Sequence, residues 1–188
     1  IQMPDNSLFL LSDTSNNARI ARNWLNYERH INNQSIEKYQ ICSINYPDIG
    51  YMIAIPIYFQ SKLVSIFYAQ PIKGGLKRYP KGSPQGRILF NYDRCFIEKR
   101  YIMMESILDA IKVDCLFGEP CMSCFTNMIS SKQLALLNEF SEHGIMPDLD
   151  GLRGWDLVTR MIPFVGKSTW LYFVPIGKDP GDCNQDEL

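Results

Sequence analysis

The sequence predicts a chain in two parts: an α+β N-terminal subdomain with an antiparallel hairpin, then an α/β domain with a small, mainly parallel sheet. Three observations carry this. Residues 51–59 and 62–70 are rich in Ile, Tyr, Phe and Val and are separated by the polar pair Gln60-Ser61, the pattern of two strands joined by a tight turn. From about residue 100, short apolar runs alternate with segments of helical spacing, as βαβ units of a parallel sheet do. Between these regions, residues 73–87 hold four glycines, two prolines and five basic residues, the composition of a loop. The expected division is 1–97 for the first part, 98–182 for the second and 183–188 for a tail.

Taken in order, residues 17–31 form a helix with Ile20, Trp24, Leu25 and Tyr27 largely on one face. After the hairpin and the basic loop, Tyr101 to Met104 is a strand ending at Glu105, and Ser106 to Lys112 has helical spacing. Cys115-Leu116-Phe117 is a further short apolar run ended by Gly118. Residues 130–142 form a helix capped by Ser130 or Ser131, with Leu134, Leu137 and Phe140 as its buried stripe. Residues 144–148 are extended, residues 154–163 are a helix stopped by Pro163 and Gly166, and residues 169–175 are a strand.

With 188 residues, 46% of them hydrophobic and 21% charged, the chain has the make-up of a soluble globular protein with a sizeable core. No apolar run approaches the roughly 18 residues of a membrane span, and the N-terminus shows no basic and apolar signal-peptide regions. The first residue is Ile1 rather than Met, as in a piece of a longer chain. The six cysteines, without a secretory signal, are expected to be reduced thiols. The net charge of −1 hides segregation: Lys73 to Arg100 carries eight basic residues against two acids, and the tail from Asp179 carries four acids and no base. A basic face of this kind can bind a polyanion despite a neutral total; the plain alternative is a solvated loop.

The chemistry concentrates in carboxylates. In open α/β sheets, ligands bind beyond the carboxyl ends of the strands. Glu105 ends the first α/β strand, and Asp148 ends a later one with Asp150 two residues on. Three carboxylates at one sheet edge repel one another unless a cation neutralises them, and their hard oxygen atoms suit Mg²⁺ or Mn²⁺. Separately, each has a plain reading as a surface residue, a turn or a helix cap.

Tyr101-Ile102-Met103-Met104-Glu105-Ser106-Ile107-Leu108-Asp109-Ala110 resembles the first motif of Toprim domains, and Pro147-Asp148-Leu149-Asp150 resembles their Asp-x-Asp motif. The ending Phe173-Val174-Pro175-Ile176-Gly177-Lys178-Asp179-Pro180 is similar to that of primase Toprim domains. Upstream, Ala21 to Leu25, Ile53 to Ile57, Lys77-Arg78-Tyr79, Ser83-Pro84 and Leu89 to Asp93 follow the order of the N-terminal subdomain of bacterial and phage DNA primase cores. The resemblance spans about residues 17–182. Departures are Ser106 in place of Gly, Arg153 in place of the glycine after Asp-x-Asp, Gln70 in place of Arg and Arg78 in place of Lys. They mark a divergent member.

The resemblance implies DNA-templated synthesis of short RNA primers with Mg²⁺ or Mn²⁺. Asp148 and Asp150 would hold the metals, Glu105 would be a ligand or a general base, and Asp109 and Asp179 are further candidates. Lys77, Arg78, Lys81, Arg87 and Lys178 would contact triphosphate or template backbone, and Tyr79 and Tyr92 would stack on bases or pack in the core. Implied partners are single-stranded DNA, ribonucleoside triphosphates and a replicative helicase, in the cytoplasm of a bacterium or phage-infected cell.

Other chemistries fit less well. Cys121 and Cys124 have C-x-x-C spacing, with Cys115 and His143 as conceivable third and fourth zinc ligands, but a ribbon would want a second close pair; zinc is not expected. No P-loop or Gly-x-Ser-x-Gly motif is present. The rival readings are a Toprim nuclease or topoisomerase-like enzyme and a non-catalytic nucleic-acid-binding module.

Overall fold

Gln60 and Ser61 turn the chain by both adopting the left-handed conformation, with φ of 51° and 61°. Two successive left-handed residues make the tight turn whose twist matches paired strands. The turn joins strands β3 (Gly50–Phe59) and β4 (Lys62–Ala69). They sit in a five-stranded sheet of order β1-β2-β3-β4-β5, with β1 at Leu8–Phe9, β2 at Cys42–Tyr46 and β5 at Lys77–Arg78. A computed structural model describes residues 1–149, 154–165 and 169–188 of this chain.

Those residues fall into two compact units, 1–58 with 62–83 and 59–61 with 84–188. In the first, β1, β2 and β3 run antiparallel in sequence, as do β4 and β5. Strand β3 is buried on both faces. One face joins Met52 and Ala54 to Ile44, Ile66 and Tyr68, and Ile53, Ile55 and Ile57 of the other face are fully buried. Helix α1 (Asn16–Asn23) is capped by Ser15, whose hydroxyl accepts from Ala18 N–H. It continues as a π-helical turn over Trp24–Glu28, so the helix expected over 17–31 is shorter and changes pitch. Helix α2 (Asn33–Lys38) follows, capped by Asn32. The basic loop contains β5 and a 3₁₀ turn at Gln85–Arg87.

The second unit opens with α3 (Tyr92–Glu98) and then alternates strand and helix: β6 (Arg100–Met104), α4 (Ile107–Phe117), β7 (Cys121–Ser123), α5 (Ser131–Leu136), β8 (Glu142–Ile145), α6 (Gly154–Val165) and β9 (Thr169–Leu171). The four strands are parallel in the order β7-β6-β8-β9. Tyr101, Met103, Met122, Leu134, Leu137, Ile145, Leu157 and Met161 share one core.

Four local readings change. Cys115 to Phe117 is the last turn of α4, not a separate run, and it stops at Gly118 in the left-handed conformation (φ 71°) that a Cβ disfavours. The strand lies instead at Cys121–Ser123. Pro163 is inside α6, which reaches Val165; in the last turn its missing N–H costs one bond and leaves the preceding turns intact. Strand β9 ends at Leu171, short of the expected Pro175. The cap expected for α5 is present as a capping box between Ser130 and Gln133, though regular helix gives way to a 3₁₀ turn after Leu136. All six cysteines are free thiols. Among the described residues, no helix is long and apolar enough to cross a membrane.

Candidate metal centre

The chain leaves β6 to build β7 on one side, then returns to build β8 on the other. That reversal makes the carboxyl ends of β6 and β8 the topological switch point of the sheet, where open α/β folds hold their ligands. Glu105 follows the last residue of β6, and Asp148 stands three residues past the end of β8. The ladder runs on toward this edge: Met146 N–H donates to Met103 O at 2.9 Å and Cys124 N–H donates to Met104 O at 3.2 Å.

Ser106 occupies the position where a glycine was expected. Its φ of −103° and ψ of 143° are extended backbone that any residue adopts, so the turn into α4 does not require glycine. Ser106 O accepts from Ala110 N–H as the helix begins. Asp109 therefore stands in the first turn of α4, where the helix dipole favours a carboxylate. It is only 2% exposed. Asp109 is therefore no helix-surface residue: its side of α4 is covered.

One carboxylate oxygen from each of Asp109, Asp148 and Asp179 lies within 4.8 Å of the others. Two backbone bonds bring Asp148 and Asp179 together: Leu149 N–H donates to Lys178 O at 2.8 Å, and Gly177 N–H donates to Leu149 O at 2.7 Å. Each carboxylate adjoins a residue of that exchange. Asp179 also shapes its own loop, accepting from Asp182 N–H at both its carbonyl (3.1 Å) and its Oδ1 (2.7 Å). Burial pushes the Cys124 thiol up to about 12, and the nearby charges of Glu105 and Asp148 act in the same direction. Both carboxylates thus bear on one buried point.

Three carboxylates this close repel strongly in a partly buried setting. An all-oxygen donor set fits a hard divalent cation, Mg²⁺ or Mn²⁺, which neutralises the repulsion. Asp109 and Asp179, secondary in the sequence reading, thus stand beside Asp148 in the cluster. Asp150, expected with them, and Arg153 lie outside the described residues.

The basic candidates divide between the units. Lys77 and Arg78 form β5 of the first unit, Lys81 follows in the same unit, and Lys77 and Lys81 are exposed. The Arg78 guanidinium lies 4.6 Å from the centre of the Tyr46 ring, which in turn meets Tyr68 edge-on. Arg87 is exposed in the second unit, on a segment fastened by Gln133, whose amide donates to Gln85 O and Ile88 O, both at 2.9 Å. Lys178 is paired with Glu187. That pairing holds the lysine's pKa above its ordinary value and the glutamate's below. Tyr92 is core, packed among Phe59, Phe96 and Phe140, and half-buried Tyr79 packs on Phe67.

Sequence reasoning missed Lys112. It is 1% exposed, and its Nζ donates to Gly181 O at 2.8 Å and to Cys183 O at 2.5 Å. The signal was a lysine in the apolar helix Ile107–Phe117, which spacing alone left unexplained.

No protein-family model matches the sequence, and no curated protein does either. Among solved structures, the chain is similar to the E. coli primase catalytic core, with a TM-score of 0.72 at 15% identity over 93% of this chain and 71% of that one. It is similar to a DnaG primase catalytic domain bound to single-stranded DNA, with a TM-score of 0.69 at 15% identity over 92% and 71%. It is also similar to the primase fragment of the bacteriophage T7 primase-helicase, with a TM-score of 0.68 at 16% identity over 84% and 67%. The chain has the fold of a DnaG-type primase catalytic core, at 14–16% sequence identity.

Proposed function

We propose that the chain is the catalytic core of a DNA primase, joining ribonucleotides on a single-stranded DNA template. The observation that supports this best is the meeting of Asp109, Asp148 and Asp179 beyond the carboxyl ends of the parallel strands, in a fold shared with primase cores. In this reading residues 1–97 are the nucleic-acid-facing subdomain and residues 98–182 the Toprim domain.

Asp109, Asp148 and Asp179, joined by Glu105 and Asp150, would hold Mg²⁺ or Mn²⁺. When bound, the metal supplies charge neutralisation for the phosphates and acidifies the attacking 3′-hydroxyl. The protein's own contribution is positioning. The rigid ends of β6 and α4 and the Leu149–Lys178 exchange hold the carboxylates in register, so little reorganisation is left for the reaction. Glu105, half-buried at the end of β6, is the candidate to take the proton from the 3′-hydroxyl. Lys77, Arg78, Lys81 and Arg87 would contact triphosphate or template backbone, fixing the strand without reading its sequence. Lys178 would add to this at the Asp179 edge, tempered by its pairing with Glu187.

The test is oligoribonucleotide synthesis on single-stranded DNA with Mg²⁺ or Mn²⁺ and labelled nucleotides. Synthesis by the wild type that is abolished by Asp148→Ala supports the proposal. Product that survives Asp148→Ala overturns it, as does DNA cleavage without synthesis, which would mark a Toprim nuclease.

A further inference from the structure

Besides Asp109, helix α4 carries two buried charged residues, Lys112 and Asp114. Lys112 lies three residues past Asp109, on the neighbouring helical position, and Ile107, Leu108, Ile111 and Val113 around it are all buried. An ammonium withdrawn from water is costly unless its donors are satisfied. Two of its three donors reach the carbonyls of Gly181 and Cys183, 69 and 71 residues away in sequence. Those carbonyls belong to the loop that begins at Asp179. Within the loop, Asp182 N–H donates to Asp179 Oδ1 at 2.7 Å, and the Cys183 thiol donates to Asp179 O at 3.3 Å. Residues 179–183 thus form one turn, and the lysine grips it at two points.

An apolar side chain at position 112 would bury as much surface and leave the turn untied to α4. The Leu149–Lys178 exchange sets Asp179 against Asp148, but it does nothing to set Asp179 against Asp109. The Lys112 bonds do, because they run from the helix that carries Asp109 to the turn that carries Asp179. We propose that Lys112 is a positioning residue of the carboxylate site: it closes the third side of the cluster by fastening the Asp179 turn to helix α4. This rests on the metal-binding reading above.

The full chain is titrated with Mn²⁺ by calorimetry, with the folded state checked by circular dichroism. Lys112→Met is expected to bind Mn²⁺ about ten-fold more weakly, the scale for losing a group that orients a metal ligand. Asp179→Asn is expected to bind more weakly as well. The double variant should bind no more weakly than Asp179→Asn alone, because the lysine acts through Asp179. Wild-type affinity in Lys112→Met overturns the proposal, and so do losses that multiply in the double variant. A wild-type chain that takes up no Mn²⁺ overturns the metal reading and this inference with it. If Lys112→Met does not fold, Lys112→Gln, which keeps an N–H donor, carries the same comparison. If neither folds, Lys112 belongs to the stability of the fold and the positioning role is overturned.

Discussion

Leu149 donates its amide to the carbonyl of Lys178 at 2.8 Å, and each of these residues neighbours a carboxylate of the cluster: Asp148 before Leu149 and Asp179 after Lys178. A slip of one residue between the two segments would move Asp179 by about 3.3 Å, the rise of an extended residue. That is comparable with the whole 4.8 Å spread of the ligand atoms. The site is therefore built to a tolerance smaller than one residue, and side-chain length should matter as much as charge. Asp179→Glu keeps the charge and adds one methylene. It is expected to weaken Mn²⁺ binding about ten-fold, measured by calorimetry, whereas a loose, adaptable cluster would bind equally well with either acid.

The hairpin turn supplies a stability test independent of the site. Gln60 and Ser61 both sit in the left-handed region, which costs an ordinary residue roughly 1 kcal/mol or more. The Asp93 carboxylate accepts both of their backbone amides at 2.7 Å. These bonds come from the main chain and survive substitution. Replacing the pair by Asn-Gly, the sequence this turn favours, should stabilise the protein by about 1 kcal/mol, a rise in Tm of about 2–4 °C for a chain of this size. Thermal unfolding followed by circular dichroism reads it, and an unchanged or lowered Tm would show that the turn is not strained.

Arg94 and Asp114 give the opposite sign. The Asp114 side chain is fully buried and paired with Arg94, which also donates to Gly118 O at 2.9 Å and closes the end of α4. Arg94→Met takes this cation from a carboxylate that stays in the interior. The expected loss is about 3 kcal/mol, read from urea unfolding as a lower midpoint with unchanged slope. A loss below half that would show water reaching Asp114.

Much of this was legible in short stretches of sequence because it depends on neighbours. The hairpin followed from two β-rich runs and a polar pair, and the Glu105-to-Asp109 segment followed from a strand running straight into a helix. The parallel sheet was legible only as a class. Strand β7 has three residues, Cys121–Ser123, too few for any periodicity, and the last turn of α4 is apolar enough to pass for a strand. Asp179 looked secondary because what unites it with Asp148 is a backbone exchange between Leu149 and Lys178, 29 residues apart. Lys112 was invisible for the same reason: its partners lie 69 and 71 residues away. Local pattern finds elements, and long-range hydrogen bonds decide which residues of those elements meet.

His143 shows how one such long-range placement should appear in solution. It is buried in β8, with Nδ1 3.0 Å from the Tyr101 hydroxyl, and burial holds its pKa below the ordinary 6.5. The unfolded chain takes up a proton at this position near pH 6.5, while the folded chain does so only at lower pH. Between the two values the unfolded state binds more protons, so stability rises with pH there and is lost as pH falls below about 6.5. Below the folded pKa both states are charged and the loss is complete. His143→Gln removes the titration. Urea unfolding from about pH 7.5 to about pH 5 should therefore show the wild type losing ground to the variant only on the acid side of about 6.5. Two parallel curves would mean that the imidazole is as free to charge in the fold as in the open chain.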